Sequence, residues 1–401
     1  MEQFSDLLKT RLRDPAYDYR QDSFLLFLKT PVRNFKESPT VKDYVKYTEK
    51  DLEVMATGLK KRYESEIKRE YDVNIINGFV THKNEIKGVT VSNIVESLDH
   101  IPAYVWEERG KEREEYLINA SWSSGYFLRV DPNTKADISI YSGEQNLSGS
   151  EKNIIIVGKF SKVTITEEIF SIDEKADRAI QGKTTYIFLE DGATLDYNYL
   201  QDKNMGVMDF TFIRTFQQKE STARLFHVNH GSDKVIFSTE SRQIGDNSDY
   251  RVFGASFSAG TQEIDIRDSS FEIGKSVNAD IQVRGVVTGK SSTIHRGNVD
   301  IELESVNSTG FYDSRILLLS KDGYANSKPG LQIKNANTRS KHASAISSVD
   351  SEQILYLESR GIGKEDATSL ITGGFIGSLI ERSKNEKFRA SVEKYAEGIS
   401  L

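Results

Sequence analysis

The sequence predicts a mainly β protein, in which a repetitive β core lies between a helical and mixed region before it and a helical region after it. Two observations lead to this prediction. Between residues 117 and 333, short segments of alternating apolar residues recur, separated by Gly, Ser, Asn, Asp and Lys. Several segments also open with a related phrase, a glycine followed by small or polar residues and then alternating apolar positions, as in residues 158–165, 192–197 and 289–294.

A run of short strands with regular turns is compatible with a β-sandwich, a β-barrel or a β-solenoid. The repeated turn phrase favours the solenoid, because stacked coils bury one face against the neighbours above and below. Hairpin dipeptides are scarce over this length, which suits coils better than a meander. We place the β core at residues 117–347.

Residues 1–116 are predicted to form the helical and mixed N-terminal region. Apolar side chains at spacings of three and four predict helices in the first 70 residues, one of them a charged helix that begins after Thr48 and continues through Leu59 and Ile67. Further on, Asn77-Gly78 between two apolar segments predicts a β-hairpin.

Residues 348–401 are predicted to form the helical C-terminal region. Asp350 and Gln353 have the spacing of a reciprocal helix cap, and Gly361 ends that helix because glycine adopts the left-handed conformation. Three further helices are expected over residues 364–372, 375–381 and 385–397, the first two separated by Gly373-Gly374. We expect these helices to form a small cap on the end of the solenoid.

Length and composition limit the function classes. The 401 residues suffice for two or three packed units or for one elongated β fold, and 37% hydrophobic with 28% charged residues is typical of a folded globular chain. A net charge of −7 argues against nucleic-acid binding. The apolar runs are too short to cross a bilayer and no secretory signal is visible, so we expect no membrane partner and a cytoplasmic location.

The chain contains no cysteine. This excludes disulfides, thiol nucleophiles, zinc sites of the cysteine type and any iron–sulfur cluster held by the chain's own thiolates. It also contains no Gly-x-x-x-x-Gly-Lys-Ser/Thr loop, so we expect it not to bind ATP through a P-loop.

Residues 291–375 closely resemble the C-terminal half of the SufB/SufD family of iron–sulfur cluster assembly proteins. The resemblance rests on an ordered set of motifs whose spacing matches, including eight positions from the histidine to the aspartate. The motifs are Leu317-Leu318-Leu319, Lys328-Pro329-Gly330-Leu331-Gln332-Ile333, His342, Asp350-Ser351-Glu352-Gln353, Ser359-Arg360-Gly361-Ile362 and Gly374-Phe375. The resemblance implies a right-handed parallel β-helix flanked by helical regions, and a non-catalytic scaffold or companion subunit.

Two departures from the family pattern point to its SufD-like branch, because the cluster-bearing SufB-type subunits have cysteines and a His-Glu pair. Here His342 is followed by Ala343, and no cysteine is present. His342 is then the candidate cluster ligand, at an interface with a partner that supplies the remaining ligands, because imidazole can replace a thiolate at one edge of a cluster. The alternative is a histidine that only stabilises, by hydrogen bonding, the turn between the last coil and the helical region.

The resemblance also implies partners. The helices after the core are the expected docking surface for a SufC-type ABC ATPase, with candidate contacts at Leu357, Glu358, Arg360, Ile362, Glu365, Leu370 and Phe375, although the apolar ones also suit internal packing. The other partner is a SufB-type subunit or a second copy of this chain. We expect no cofactor on the isolated chain, a nascent Fe–S cluster only in the complex, and ATP only through the partner ATPase.

Two other functions are tested against the sequence. A carbohydrate-active β-helix hydrolase or lyase needs clustered carboxylates, and the candidates are Glu263 with Asp265 and Asp300 with Glu302 and Glu304. Both groups alternate with apolar residues, which is typical of the exposed face of an ordinary strand.

A DNA-binding reading of residues 353–371 as a helix-turn-helix is opposed by charge, since residues 348–401 contain seven Lys/Arg and nine Asp/Glu. A metal site at His227 and His230 is opposed by their spacing of three, which places them on opposite faces of a strand. His295 precedes Arg296-Gly297, a turn-like phrase, so it is expected at the surface.

Overall fold

The computed structural model describes residues 16–31, 45–63, 69–174 and 178–397. The strands in these ranges are β1 (Val73–Ile76), β2 (Phe79–Lys83), β3 (Val89–Asn93), β4 (Tyr126–Val130), β5 (Lys135–Glu144), β6 (Gly149–Val157), β7 (Lys162–Ser171), β8 (Ala179–Leu189), β9 (Thr194–Lys203), β10 (Val207–Gln217), β11 (Thr222–Gly231), β12 (Lys234–Gln243), β13 (Asp249–Ser258), β14 (Glu263–Glu272), β15 (Asn278–Val287), β16 (Ser292–Ile301), β17 (Ser308–Leu318), β18 (Tyr324–Ile333) and β19 (Thr338–Ser348).

The helices in the same ranges are α1 (Tyr17–Lys29), α2 (Glu49–Thr57), α3 (Arg113–Ser121), α4 (Ser351–Ser359), α5 (Lys364–Ile380) and α6 (Glu386–Glu397). Two 3-10 helices, Ile94–His100 and Ala103–Glu107, precede α3. Within the part of the chain that the structure describes, no helix is long and apolar enough to span a membrane.

The strands form a parallel β-solenoid. Among the described residues, sheet A has ten strands in the order β19-β17-β15-β13-β11-β9-β7-β5-β1-β2, and sheet B has nine in the order β18-β16-β14-β12-β10-β8-β6-β4-β3. Consecutive strands from β4 onward alternate between the two sheets, so each pair of strands forms one coil. The predicted mainly β fold, a parallel β-helix between helical regions, is confirmed, and the sandwich and barrel alternatives are wrong.

Alternating apolar residues form the core between the two sheets. Inward-facing side chains of successive coils stack in register, for example Ile138, Ile165 and Tyr197 in sheet A. Outward-facing apolar side chains are also buried, because helices cover part of each sheet. Both faces of the strands are therefore apolar in many coils, which explains why the sequence alternation drifts.

One turn position has the left-handed conformation in seven successive coils along one edge of the solenoid, from the β4–β5 turn to the β16–β17 turn. These residues have φ between 56° and 67°, and each backbone N–H donates to a carbonyl of the next coil. They are Asn133, Phe160, Gly192, Glu220, Asn247, Ser276 and Asn307. The left-handed conformation costs an ordinary residue about 1 kcal/mol, and the hydrogen bond to the neighbouring coil offsets this cost. The position accounts for Gly192 in the turn phrase of residues 192–197, whereas Gly289 lies in a turn at the opposite edge.

The N-terminal helices cover the outer face of sheet B. Apolar residues of α1, α2 and α3 pack against outward-facing residues of β8, β10 and β12 in one buried cluster, which includes Phe27, Leu52, Leu117, Phe210 and Ile236. Polar contacts also join the start of α3 to sheet B. Glu112 accepts hydrogen bonds from Arg267 at 2.6 Å and from Ser238 at 3.0 Å.

The helix predicted after Thr48 is shorter than expected. Thr48 and Asp51 form a reciprocal cap at its start, and the helix ends at Thr57 rather than continuing through Leu59. The following Gly58 lies against the solenoid so closely that a Cβ atom there would stand 2.3 Å from the Ser148 carbonyl oxygen. The helix therefore ends just before the contact between Gly58 and Ser148. Ile67 lies outside the described residues.

The hairpin predicted at Asn77-Gly78 is confirmed. Both residues have positive φ, 53° and 77°, as the tight turn between antiparallel β1 and β2 requires.

The C-terminal helices pack on the side of the solenoid, so the expected cap on its end is wrong. Residues of α5 and α6, among them Ile376, Leu379, Phe388 and Val392, join a buried cluster with outward-facing residues of sheet A such as Phe226. The predicted break at Gly373-Gly374 is also wrong, because α5 continues through both glycines. Burial of the apolar residues that follow offsets a cost of about 1 kcal/mol for each glycine in a helix. The predicted division at residues 116 and 347 stays a prediction.

The interior of the first coils contains charged side chains. Lys60 Nζ lies 2.6 Å from Glu144 Oε2 and 3.2 Å from Glu151 Oε2, and Lys183 Nζ lies 2.7 Å from Glu151 Oε1. Burial alone raises the pKa of Glu151, but the Lys183 and Lys60 ammonium groups outweigh it and hold that pKa below its ordinary value. Removing one partner of such a buried pair leaves an uncompensated charge, which is costly. The ion pairs of Lys60 therefore hold the segment that follows α2 against β5 and β6.

A glutamine ladder continues along the interior and ends in a glutamate. Gln217 Nε2 donates to the Asp249 carbonyl oxygen at 3.0 Å, and Gln243 Nε2 donates to the Asn278 carbonyl oxygen at 3.0 Å. Glu272 follows at the same register position. Its side chain is fully buried, neither carboxyl oxygen has a hydrogen-bond partner among the described residues, and burial raises the pKa of Glu272 to about 9.

We predict that Glu272→Gln stabilises the protein at neutral pH. In the native chain Glu272 retains its proton up to a pH of about 9, whereas the unfolded chain releases it near the ordinary value of 4.5, so this residue makes stability fall as the pH rises between those values. The amide needs no proton and can donate as Gln243 does. Urea unfolding at pH 7 should show a gain on the order of 2 kcal/mol and a smaller loss of stability between pH 5 and pH 8.

Glu304→Gln is the control, because Glu304 is exposed and its replacement should leave both stability and its pH dependence unchanged. A Glu272→Gln protein that is less stable than the native chain at pH 7, or that has the same pH dependence, would contradict the assignment.

Candidate partner-binding site at the open end of the solenoid

At its first coil the parallel strand ladder ends in antiparallel strands. Sheet A ends there in the antiparallel hairpin β1–β2, and sheet B ends in β3, which is antiparallel to β4. Lys83, on the outermost strand β2, donates from Nζ to the Val91 carbonyl oxygen at 2.6 Å. Lysine on an edge strand is a common means of preventing further strand pairing.

The opposite end is open. We call residues 324–348, which comprise β18, β19 and the turn between them, the terminal coil. β18 and β19 are the last strands of their sheets, paired on one side only, with β16 and β17. No residue of either strand is buried. Two sheet edges therefore lie next to each other with unpaired backbone groups, a surface that another chain can extend.

Apolar side chains are exposed in the terminal coil as well. Tyr324 is 38% exposed, and Ile333 and Ile346 are each 44% exposed. In earlier coils the residues in register with Ile346, such as Ile316, are fully buried. The terminal coil thus has the sequence of an interior layer without a further coil to cover it.

His342 lies within β19 and not in the turn that leads to the C-terminal helices. In register it follows Leu225, Val252, Ile281 and Tyr312, all of them buried inside the solenoid. His342 therefore belongs to the inward-facing row, and it is exposed because the coils end there. No hydrogen bond from its side chain to another described residue is found, which leaves the turn-stabilising alternative without support in this geometry.

A buried polar layer lies directly beneath His342. Tyr312 is its register neighbour, and a Cβ atom on Gly297 would stand 1.8 Å from the Tyr312 ring. His295 is buried between Ser256 and Ser314, with distances of 3.0 Å from Nε2 and 3.1 Å from Nδ1 to the two hydroxyl oxygens. Burial lowers the pKa of His295 to about 3, so the ring is neutral at physiological pH.

The expected surface position of His295 is therefore wrong. The signal that could have found its place is the alternation of β16, in which His295 has the same parity as Val299 and Ile301, and both of these are buried in the core. Gly297 does not mark a turn. It lies within β16, where a side chain would clash with the Tyr312 ring.

His227 and His230 do not form a metal site. His227 is buried beside Asp268, with 3.2 Å between Nε2 and Oδ2, whereas His230 lies on the outer face beside Asp202, at 2.9 Å. The predicted opposite orientation is confirmed. In the described ranges no group of three or more His, Cys, Asp or Glu side chains is arranged to hold a metal ion.

The helices after the terminal coil carry a second exposed surface. Of the predicted partner contacts, Glu358, Arg360, Glu365 and Leu370 are exposed, with Leu370 at 59%. Leu357 and Ile362 are half-buried, and Phe375 is half-buried against the cluster under α5. Their role in binding stays a prediction.

Two exposed residues of this surface were not among the contacts predicted from the sequence. Leu355 is 66% exposed and Tyr356 is 57% exposed, and Tyr356 borders a groove of about 410 Å³ that Asp350, Glu352, Gln353, Leu357 and Ile371 also line. Helical periodicity alone could not have identified them, because it does not show that Ile354 is the buried residue among four consecutive apolar residues of α4. Large exposed apolar side chains on adjacent positions indicate a binding surface.

Three of the five carboxylates considered for polysaccharide chemistry are engaged in ion pairs, whereas Asp300 Oδ1 is buried without a hydrogen-bond partner among the described residues and Glu304 is exposed. Asp265 Oδ2 lies 2.7 Å from Arg267, and its Oδ1 lies 3.1 Å from Arg296. Glu302 Oε1 lies 2.7 Å from Lys334 Nζ, and Glu263 Oε1 lies 3.6 Å from Lys234 Nζ. These pairs tie neighbouring coils together and give no observation in favour of hydrolysis.

Comparison with known proteins agrees with this architecture. Residues 140–375, more than half of the chain, match the family model described as "SUF system FeS cluster assembly, SufBD core domain". The matched range contains the terminal coil, α4 and the first part of α5.

Curated relatives match over a longer range. The chain is 26% identical over 315 residues to the iron–sulfur cluster assembly SufBD family protein ycf24 of Porphyra purpurea, which covers 74% of this chain and 64% of that protein. It is 24% identical over 307 residues to the iron–sulfur cluster assembly protein SufD of Bacillus subtilis, covering 73% and 70%. A SufBD family protein of Staphylococcus epidermidis is 22% identical over 264 residues, covering 65% and 57%. The chain thus spans less than two thirds of the length of some of these relatives.

Proposed function

The chain belongs to the SufBD core family of the SUF system for iron–sulfur cluster assembly, and on this premise we propose that it is a SufD-like, non-catalytic companion subunit of a cytoplasmic assembly complex. In this role it binds a SufC-type ABC ATPase and, at the open end of the solenoid, a SufB-type subunit or a second copy of itself. ATP acts only through the ATPase. The nascent Fe–S cluster is the cargo of the complex.

The observation that carries the proposal is the difference between the two ends of the solenoid. At the first coil the sheets end in antiparallel strands, with Lys83 on the outermost strand of sheet A, whereas the terminal coil presents two parallel strand edges, three exposed apolar side chains and an exposed inward-facing histidine. An uncovered edge of this kind promotes uncontrolled association unless a partner covers it. In an assembly, the partner subunit would cover this strand edge.

His342 is the residue that we propose to contact the cargo. Imidazole nitrogen is an acceptable ligand for iron and for one edge of a cluster. Because the chain has no cysteine, the thiolate ligands must come from the partner at the same interface. The position of His342, at the end of an interior row and beside both strand edges, would place it on the line of contact.

The surface of α4 and α5 is the proposed ATPase contact. Leu355, Tyr356 and Leu370 supply exposed apolar area, and Glu358 and Arg360 supply charges around it. An apolar centre with a polar rim is typical of transient protein interfaces. The direct connection from β19 to α4 would let movements of the ATPase reach the terminal coil.

We predict that Leu355→Asp combined with Leu370→Asp prevents capture of the ATPase. A charge in the apolar centre of the contact should weaken co-purification with the SufC-type ATPase at least about tenfold, because buried unpaired charge is costly at interfaces. Both side chains are exposed in the free chain, so its melting temperature should change by less than about 2 °C.

Leu303→Asp is the matched control, since Leu303 is 61% exposed in a turn of the solenoid and lies outside the proposed contact. Normal ATPase capture by the Leu355→Asp, Leu370→Asp protein would place the ATPase elsewhere. Failure of the native chain to bind the ATPase would refute the proposed function.

We predict that His342→Ala lowers cluster formation in the reconstituted complex without preventing its assembly. Loss of one metal ligand should reduce the initial rate of Fe–S absorbance growth on the order of tenfold, and the mass of the complex should stay the same. His100→Ala is the control, because His100 is also exposed but lies in the N-terminal region. If the His342→Ala complex forms clusters at the native rate, the ligand role is wrong.

A further inference from the structure

A group of buried oxygen atoms inside the solenoid has no hydrogen-bond partner among the described residues. The atoms are Gln243 Oε1, Ser270 Oγ and both carboxyl oxygens of Glu272. Gln243 and Glu272 are register neighbours on β12 and β14, and Ser270 lies two positions before Glu272 on the same face of β14. Because buried polar groups are normally paired, unpaired oxygens on three neighbouring residues indicate a bound species.

The preceding coil contains the contact that is absent here. Ser241 Oγ donates to Gln217 Oε1 at 2.7 Å, and these two residues occupy the positions of Ser270 and Gln243 one coil earlier. The equivalent contact between Ser270 and Gln243 is not made. The hydroxyl of Ser270 and the amide oxygen of Gln243 are therefore both available to another species, next to a carboxyl group.

A glycine keeps the space beside this carboxyl group clear. A Cβ atom on Gly310 would stand 3.0 Å from Glu272 Oε1 and 2.3 Å from Val299 Cγ1. Gly310 is in register with Ser340 of the terminal coil, whose hydroxyl oxygen is also buried without a partner in the described ranges. The space beside Glu272 Oε1 therefore depends on glycine and lies one coil below the terminal coil.

The carboxyl group of Glu272 also has no counter-charge in the part of the chain that the structure describes. Other interior carboxylates have one, such as Glu151 with Lys183 at 2.7 Å and Asp209 with Lys203 at 2.6 Å. Burial is the only cause of the raised pKa of Glu272, so no ionised group of β12, β15, β16 or β17 acts on it. A buried carboxylate is costly unless a proton or a cation neutralises it.

The available atoms suit a hard cation of single charge. All four are oxygens, the ligand type that hard cations prefer. One carboxylate supplies one negative charge, so a monovalent cation makes the site neutral. A divalent cation would leave a buried positive charge that nothing compensates.

We propose that Gln243, Ser270 and Glu272 bind a monovalent alkali cation, Na⁺ or K⁺, inside the solenoid, with Glu272 ionised. The cation replaces the proton that the carboxyl group otherwise retains, and one H⁺ is released to solvent for each cation bound. The site is independent of the proposed function. The gain in stability predicted above for Glu272→Gln therefore applies to buffer without Na⁺ and K⁺, and added cation should reduce it.

Thermal unfolding of the full chain in choline chloride, NaCl and KCl at equal ionic strength tests the site. Na⁺ or K⁺ should raise the melting temperature by at least about 2 °C, with saturation, because a ligand that binds only the folded chain stabilises it. The cation with the larger effect is the one that the site prefers. Equal melting temperatures in the three salts would overturn the proposal.

Variants locate the effect. Glu272→Gln should lose the cation-dependent shift in melting temperature, and Ser270→Ala should reduce it. Ser241→Ala is the matched control, because it removes the same hydroxyl one coil earlier, where Gln217 already accepts it, and it should keep the full shift. A shift of native size in the Glu272→Gln protein would place the cation elsewhere and overturn the proposal.

Proton release distinguishes a bound cation from a general salt effect. Calorimetric titration with the preferred salt, in two buffers of different ionisation enthalpy, should show one proton released for each cation at pH 7. The affinity should rise about tenfold for each pH unit below the pKa of Glu272, because proton and cation compete for one carboxylate. Absence of proton release, or an affinity independent of pH, would overturn the proposal and leave Glu272 neutralised by its proton alone.

Discussion

Parallel strand pairing between successive coils is the interaction on which the rest of this structure depends. Each inner strand is hydrogen-bonded to the strand two positions before it and the strand two positions after it, and each inward-facing side chain is covered by the next coil. A ladder of this kind has no internal reason to stop. The strand ladder therefore has to be terminated separately at each end of the solenoid, and the structure differs between the two ends.

At the first coil the chain provides its own closure, with antiparallel strands and with Lys60 held between interior carboxylates. At the last coil it provides none. His342 and the exposed apolar side chains of the terminal coil lie where the parallel ladder ends without such a closure. On the proposed function, a chain with no cysteine would need a partner at this place to supply the thiolate ligands of a shared site.

The fold was predictable from the sequence because short apolar strands and glycine-containing turns recur along the chain, although Gly192 and Gly289 lie in turns at opposite edges of the solenoid. Family motifs indicated the region of the site, since they cover His342 and α4. What could not be predicted required three-dimensional neighbours. His295 was misplaced because Gly297 serves Tyr312 rather than a turn, and α5 continues through Gly373 and Gly374 because packing on sheet A outweighs helix propensity. The exposure of Leu355 and Tyr356 could not be predicted either, because it depends on which face of α4 packs against the rest of the chain.

The central claim is that the unpaired edges of β18 and β19 are where the partner binds. Hydrogen–deuterium exchange of the chain, free and in complex with the SufB-type subunit, tests this claim most directly. The account predicts that amides of residues 324–348 exchange fast in the free chain and become protected in the complex, while amides of residues 73–93 at the closed end do not change. Protection confined to the closed end, or unchanged exchange in the terminal coil of a stable complex, would contradict it.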